Sequence, residues 1–72
     1  MSIARVTEIS STSKKSFEDA IQQGIKRATK TLRNLKSAWI KEQTVEISNG
    51  KPSGYRVNMM ITFVLDDKSD GN

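Results

Sequence analysis

Trp39, the single tryptophan of the chain, is the residue with the clearest potential for ligand binding. Strand alternation places it on the opposite face from Ala38 and Ile40. If Ala38 and Ile40 join the core, the indole stands on the outer face beside Arg56 and Asn58. A large aromatic surface left in water is unfavourable. The sequence therefore predicts that either another subunit or a flat ligand covers Trp39.

The residue types that usually perform catalysis are scarce. The chain contains no histidine and no cysteine, the commonest general base and metal ligands. Glu42 and Glu46 share a strand face, but their spacing of four residues separates them by about 13 Å, too far for a cooperating acid pair. The same alternation puts Lys41 and Gln43 on the Trp39 face and Glu42 on the other. We expect neither an enzyme nor a metal site.

Basic residues give the chain a net charge of +4. A basic helix raises the possibility of nucleic acid or an acidic membrane as partner. A solvated helix face is the favoured interpretation, because no aromatic residues alternate with the charges and no nucleic-acid motif accompanies them. Seven of the twelve basic residues lie in or beside one predicted helix: Lys14, Lys15, Lys26, Arg27, Lys30, Arg33 and Lys36.

The chain of 72 residues makes one small domain, which buries only roughly 60 % of the surface that its unfolded form exposes. Without disulfides, so small a domain needs very good packing or oligomerisation, and we expect a homo-oligomer. No stretch approaches the roughly 20 apolar residues of a membrane span, and the N-terminus lacks the apolar run of a signal peptide. A cytoplasmic location without membrane contact is the expectation.

The elements that position Trp39 begin with a strand over residues 3–9 and a polar turn over 10–13. Ser13 is a candidate cap for a helix whose first turn contains Glu18 and Asp19. Gly24 interrupts the apolar stripe of this helix, which predicts a close approach of the helix to the sheet. The stripe has helical spacing over five turns and comprises Phe17, Ala20, Ile21, Gly24, Ile25, Ala28, Leu32 and Leu35.

A β-hairpin follows the helix. Strands over 37–47 and 54–66 flank the turn signal Asn49-Gly50, which we expect to extend through residues 51–54. The predicted fold class is α+β, with the order β-α-β-β and a three-stranded antiparallel sheet packed around one helix. The prediction is one domain over 1–67 with a polar tail over 68–72. The last strand has an apolar face formed by Tyr55, Val57, Met59, Ile61, Phe63 and Leu65.

This order of elements resembles the dodecin family, as do four segments of the sequence, and the similarity extends over about residues 3–67. The first two are Val6-Thr7-Glu8-Ile9 and the helix start Ser16-Phe17-Glu18-Asp19-Ala20-Ile21. The other two are Ala28-Thr29-Lys30-Thr31-Leu32-Arg33-Asn34-Leu35 and the strand from Tyr55 to Asp66.

The resemblance implies a hollow dodecamer that binds flavins, riboflavin or FMN, where subunits meet. Dodecins are regarded as flavin storage or buffering proteins rather than enzymes. In the family's usual site a tryptophan stacks on the isoalloxazine ring and a glutamine on the last strand hydrogen-bonds it.

This chain departs from that pattern at two positions. Ser37 occupies the usual stacking position, and Trp39 lies two residues further on, a shift of about 6.6 Å on the same face. Arg56 replaces the usual glutamine, and an arginine donates hydrogen bonds but cannot accept one from the ring N–H. Members that hold a flavin phosphate place arginines near Thr44 and Val64, which favours riboflavin here unless Lys41 or Arg56 binds the phosphate.

Two hypotheses follow for the role of the tryptophan. In the first, Trp39 stacks on a flavin and Arg56 contacts the ring's polar edge, while Ser37, Glu42 and Asn58 line the pocket. In the second, the protein is a dodecin-like shell without flavin, in which Trp39 fills a subunit interface and a cation or coenzyme A is the ligand.

Overall fold

The computed structural model describes residues 3–65, which form four elements. In chain order they are β1 (Ala4–Ser13), α1 (Phe17–Ala28), β2 (Leu35–Ser48) and β3 (Lys51–Val64). The strands form one antiparallel sheet in the order β1-β3-β2, so β3 is central. This arrangement confirms the predicted α+β class and βαββ order. The predicted tail at 68–72 lies outside the described residues.

Strand β1 is longer than the sequence indicated, because the predicted polar turn over residues 10–13 is part of it. The β3 backbone supplies a partner for each of these residues, from Ser10 opposite Asn58 to Ser13 opposite Tyr55. Serine and threonine have only weak preferences between strand and turn. Their conformation is therefore decided by the neighbouring strand, which satisfies their backbone hydrogen-bonding groups.

Ser16, not Ser13, caps the helix. The Ser16 backbone is extended, and its Oγ accepts a hydrogen bond of 2.9 Å from the Asp19 backbone N–H. Ser13 is buried instead, and its hydroxyl donates to Asp19 Oδ2 at 2.6 Å while it accepts from the Lys15 backbone N–H at 2.9 Å. The two serines therefore fix both the entry into the helix and the position of the Asp19 carboxylate.

The helix ends at Ala28, two turns earlier than the apolar stripe predicted. The hydroxyls of Thr29 and Thr31 bond back to the carbonyls of Lys26 and Ala28, which competes with continued helical pairing. Asn34 has a φ of 61° and turns the chain into β2. Leu32 and Leu35 continue the helical spacing of apolar residues in the sequence, although neither belongs to the helix.

The hairpin turn consists of Asn49 and Gly50, with φ values of 53° and 76°. These left-handed conformations suit a two-residue hairpin, and Asn-Gly favours that turn. Residues 51–54, expected as loop, belong to β3. Pro52 is tolerated there because this end of β3 extends beyond β1 and pairs only with β2.

The core lies between the helix and the strands β1 and β3. Gly24 is buried and allows the helix to approach Met59 and Ser11, which confirms the close approach predicted for it. The buried apolar residues are Ala20, Ala28, Val57, Met59 and Ile61.

The helix covers β1 and β3 rather than the adjacent face of β2, so the expected burial of Ile25 was wrong and the condition that Ala38 and Ile40 join the core is not met. Ala38 and Ile40 point toward the helix side but remain exposed. Ile25 is 37 % exposed, since its flank of the helix faces the open strand. Val57 and Ile61 are buried as expected, whereas Leu65 of the same apolar face is 38 % exposed. The remaining residues expected in the core are half-buried: Phe17, Ile21, Leu32, Leu35 and Phe63.

Candidate functional site

The helix-free face of the sheet is the surface opposite α1, and Trp39 lies on it as predicted. Trp39 pairs with Met60 of the central strand, whereas its neighbour Ile40 pairs with the buried Met59. Directly opposed residues of antiparallel strands share a face, so the indole and Met60 point away from the helix together. The Trp39 side chain is 51 % exposed in the single chain. It is an apolar platform that lacks a cover within one subunit.

A β-bulge next to Trp39 changes which residues share its face. Ile40 pairs with Met59 and Glu42 with Asn58, so Lys41 is the extra residue. Glu42 therefore lies on the helix-free face, and Gln43, opposite the buried Val57, lies on the helix side. The predicted assignment of these two residues was wrong because simple alternation cannot anticipate an inserted residue.

Glu8 of β1 joins Lys41 and Asn58 in a polar cluster beside the platform. Lys41 Nζ donates to Glu8 Oε1 at 3.3 Å, and Asn58 Nδ2 donates to Glu8 Oε2 at 3.4 Å. The hydrogen bond from Asn58 and that from Lys41 lower the pKa of the Glu8 carboxyl below its ordinary value. The cluster thus holds an ionised carboxylate at a fixed place on the sheet.

Glu8 is also in line with the tryptophan. It pairs with Met60, which in turn pairs with Trp39, so the three residues form one row across the sheet. Neighbouring strands lie about 4.7–4.9 Å apart, which puts the Glu8 and Trp39 backbones about 9.6 Å apart.

Arg56 is the predicted site residue furthest from Trp39 within one chain. It stands opposite Thr44 and forms an ion pair with Glu46. Four residues of β3 separate it from Met60, a distance of about 13 Å along the strand. Ser37, opposite Thr62, is one pleat beyond Trp39 in the other direction.

The structure thus brings four of the six predicted site residues together, Trp39, Lys41, Glu42 and Asn58, with Ser37 at the margin. Sequence reasoning missed Glu8. Its position in a polar, alternating strand gave no sign of a site, because the register between β1 and β3 joins residues that are 50 apart in sequence.

The pronounced grooves of the single chain lie elsewhere. One of about 420 Å³ lies between β1 and the helix, with Thr7, Gln23 and Arg27 among its lining residues. Another of about 160 Å³ lies between Ile25 and the start of β2. Neither of these two grooves includes Trp39.

Residues 3–65 contain no group of three or more acidic, histidine or cysteine side chains that could hold a metal ion. Within the same part of the chain, no helix is long and apolar enough to cross a membrane.

These features define a small α+β protein with one helix on a three-stranded sheet and an aromatic, charged surface on the sheet's other face. The chain belongs to the dodecin family, since residues 3–66 match the family model described as Dodecin. This membership confirms the resemblance inferred from the sequence. A comparison with curated proteins gave no match.

Solved dodecin structures share the fold closely. Dodecin from Streptomyces davaonensis is 35 % identical with a TM-score of 0.87, and the match covers 92 % of this chain and 97 % of that one. A protein from Thermus thermophilus is 31 % identical with a TM-score of 0.88, covering 93 % and 98 %. The calcium dodecin of Mycobacterium tuberculosis, described as a calcium-chelating antigen, is 26 % identical with a TM-score of 0.77, covering 90 % and 93 %.

Proposed function

We propose that this protein is a non-enzymatic flavin-binding protein of the dodecin type, which stores or buffers riboflavin or FMN. The observation that carries the proposal is the half-exposed indole of Trp39 on the helix-free face. An exposed aromatic platform beside fixed polar groups suits a flat heteroaromatic ring, because the platform supplies stacking and the polar groups orient the ring.

The proposed binding unit is an assembly of several copies, a hollow dodecamer as the family resemblance implies. The described chain is elongated, 56 × 19 × 13 Å, with a radius of gyration of 15.2 Å. A compact domain of this length has a radius of gyration of about 11 Å. Apolar side chains on both sides of the sheet are exposed in the single chain, among them Ile40 on the helix side and Val6 on the helix-free face. Contact between copies would bury these side chains and would cover Trp39.

The residues near Trp39 suit the polar parts of a flavin. Lys41 and Asn58 are hydrogen-bond donors one row away from the indole, and Glu42 pairs with Asn58. Ser37 lies one pleat further and would line the pocket margin. In the proposed assembly Arg56 reaches the ring from a neighbouring copy, because its own Trp39 lies about 13 Å along the sheet.

Titration of the purified assembly with riboflavin tests the proposal. Stacking should quench both the flavin and the indole fluorescence, and Trp39→Ala should weaken binding at least tenfold while sizing shows an intact oligomer. Trp39→Phe should retain part of the affinity, because a smaller aromatic still stacks. Tyr55→Phe is the matched control, since Tyr55 packs against Phe17 on the helix side. Tight binding by Trp39→Ala would contradict the stacking role.

The same titration addresses the alternative, a shell in which Trp39 fills a subunit interface. That protein would show no flavin quenching in the wild type, and Trp39→Ala would lower the melting temperature or loosen the assembly. A rise in melting temperature with calcium or coenzyme A, without a response to riboflavin, would then identify the ligand class of the shell.

A further inference from the structure

The carboxylate of Glu8 is fixed in position but retains unused hydrogen-bonding capacity. An ionised carboxylate offers about four acceptor positions on its two oxygens. Lys41 occupies one position on Oε1 and Asn58 occupies one on Oε2. The Glu8 side chain is 38 % exposed, so the remaining positions are accessible to a ligand.

The two donors that hold Glu8 also retain hydrogen-bonding capacity. The Lys41 ammonium has three N–H groups and the Asn58 amide has two, and each residue gives one to Glu8. The cluster therefore presents one acceptor flanked by donors. This pattern is complementary to an imide edge, in which an N–H group lies between two carbonyl groups.

The pyrimidine end of the isoalloxazine ring carries such an edge at its N3 position. We propose that Glu8 accepts the hydrogen bond from this N–H group when the ring stacks on Trp39, and that Lys41 and Asn58 donate to the flanking carbonyls. The proposal rests on the proposed flavin-binding function and deepens it. It makes the site selective for flat rings that have an imide edge.

The row formed by Glu8, Met60 and Trp39 is long enough for one ring system to contact both Trp39 and Glu8. Met60 separates Trp39 from Glu8, and its half-buried side chain forms the floor between them. A fused three-ring system laid across the strands can contact the indole at one end and the carboxylate at the other. Arg56 cannot replace Glu8, because a guanidinium has no acceptor and this one is paired with Glu46.

A ligand that lacks only the N–H group tests the proposal directly. The wild-type assembly is titrated with riboflavin and with N3-methylriboflavin, which keeps both carbonyls and the stacking surface. Wild type should bind riboflavin at least about tenfold more tightly, as expected for a hydrogen bond to a charged acceptor. Glu8→Ala should bind the two ligands within about threefold of each other, because the acceptor is absent in that variant.

Further variants separate the hydrogen bond from steric exclusion. Lys41→Met should weaken the binding of both ligands alike, because both retain their carbonyls. Glu18→Ala, which removes a carboxylate on the helix, away from the helix-free face, should keep the wild-type preference. If Glu8→Ala still rejects the methylated ligand, the methyl group clashes with the pocket and the proposal is wrong. Should that variant fail to assemble, Glu8→Gln serves in its place and should show a reduced preference.

The two titrations of wild type test the role of Glu8 and the flavin-binding function separately. Equal binding of the two ligands by wild type overturns the role of Glu8 but leaves flavin binding intact. Absence of binding for both ligands overturns the flavin-binding function itself, and the role of Glu8 with it.

Discussion

Gly24 and Met59 approach so closely that a Cβ atom on Gly24 would lie 2.6 Å from the Met59 Cε atom. The same Cβ atom would lie 3.1 Å from the Cβ atom of Ser11. Met59 is fully buried, so its methyl group has no open solvent to move into, and the Ser11 backbone is held by its pairing with Val57. This contact fixes the distance between the helix and the sheet.

We therefore expect Gly24→Ala to destabilise the protein by about 1 kcal/mol. Overpacking costs about 1–3 kcal/mol, which exceeds the gain of about 1 kcal/mol in helix propensity. Denaturant unfolding at one fixed protein concentration measures the change. Met59→Leu shortens the opposing side chain, so the double variant should lose at least about 0.5 kcal/mol less than the sum of the two single losses. Additive losses would show that Met59 is not the obstacle.

Local signals in the sequence were sufficient for the order of elements. The polar cap before Phe17 and the Asn49-Gly50 pair specify a helix start and a hairpin turn through their own backbone preferences. The helix end was not predictable in the same way, because Leu32 and Leu35 happen to continue the helical spacing. Their true partners, such as Phe63 opposite Leu35, come from the distant last strand.

The candidate site was predictable only in part, for a related reason. The exposed face of Trp39 followed from alternation within β2, which is a local property. The bulge at Lys41 reversed the alternation beyond it and brought Glu42 to the Trp39 face. Glu8 entered the site through the register between β1 and β3, which depends on the packing of the whole sheet rather than on neighbouring residues.

Asp19 should make the stability of the protein depend on pH. The hydrogen bond from Ser13, followed by that from Gln23, lowers the pKa of Asp19 below its ordinary value of 3.8. The stabilisation is therefore fully present above pH 3.8 and is lost as the pH falls through the lower folded-state pKa. Asp19→Asn should have a lower denaturant midpoint than wild type at pH 7, and the gap should close in acid.

Two controls accompany the Asp19 measurement. Ser13→Ala should raise the pKa of Asp19, which an NMR titration of its carboxyl carbon would detect. Glu18→Gln changes the charge of the same helical turn without touching Ser13, and it should not reproduce the pH-dependent gap. A gap of constant size from pH 7 to pH 2 would show that ionisation of Asp19 has no part in the stability.

Ile40 should contribute to assembly more than to the fold of one subunit. It lies on the helix side of β2, but it is 38 % exposed because the helix packs on β1 and β3. Ile40→Lys should shift the protein to smaller species in native mass spectrometry, since a buried, unpaired charge at a subunit contact is costly. Ile40→Val is the matched control and should keep the large oligomer. An intact oligomer in the lysine variant would place the subunit contact elsewhere.

The ligand preference should favour riboflavin over FMN, because the two site cations, Lys41 and Arg56, are each paired with a carboxylate. Lys41 contacts Glu8 and Arg56 contacts Glu46, so the phosphate of FMN would compete with these carboxylates for either cation. The carboxylates of Glu8 and Glu46 would also repel the negatively charged phosphate of FMN. Riboflavin should bind about threefold or more tightly at low ionic strength, and added salt should narrow the difference through screening. Fluorescence titrations of both ligands at two salt concentrations give the ratio.

Glu46→Gln tests the cause of this preference. The substitution removes one negative charge and frees the Arg56 guanidinium for a bidentate contact with phosphate. FMN affinity should therefore rise by about tenfold while riboflavin affinity changes little. Glu18→Gln makes the same change in net charge on the helix, away from the helix-free face, and should leave the ratio of the two affinities unaltered. If wild type binds FMN more tightly than riboflavin, Lys41 or Arg56 must leave its carboxylate partner to bind the phosphate. In that case Glu46→Gln would have no added effect on FMN affinity.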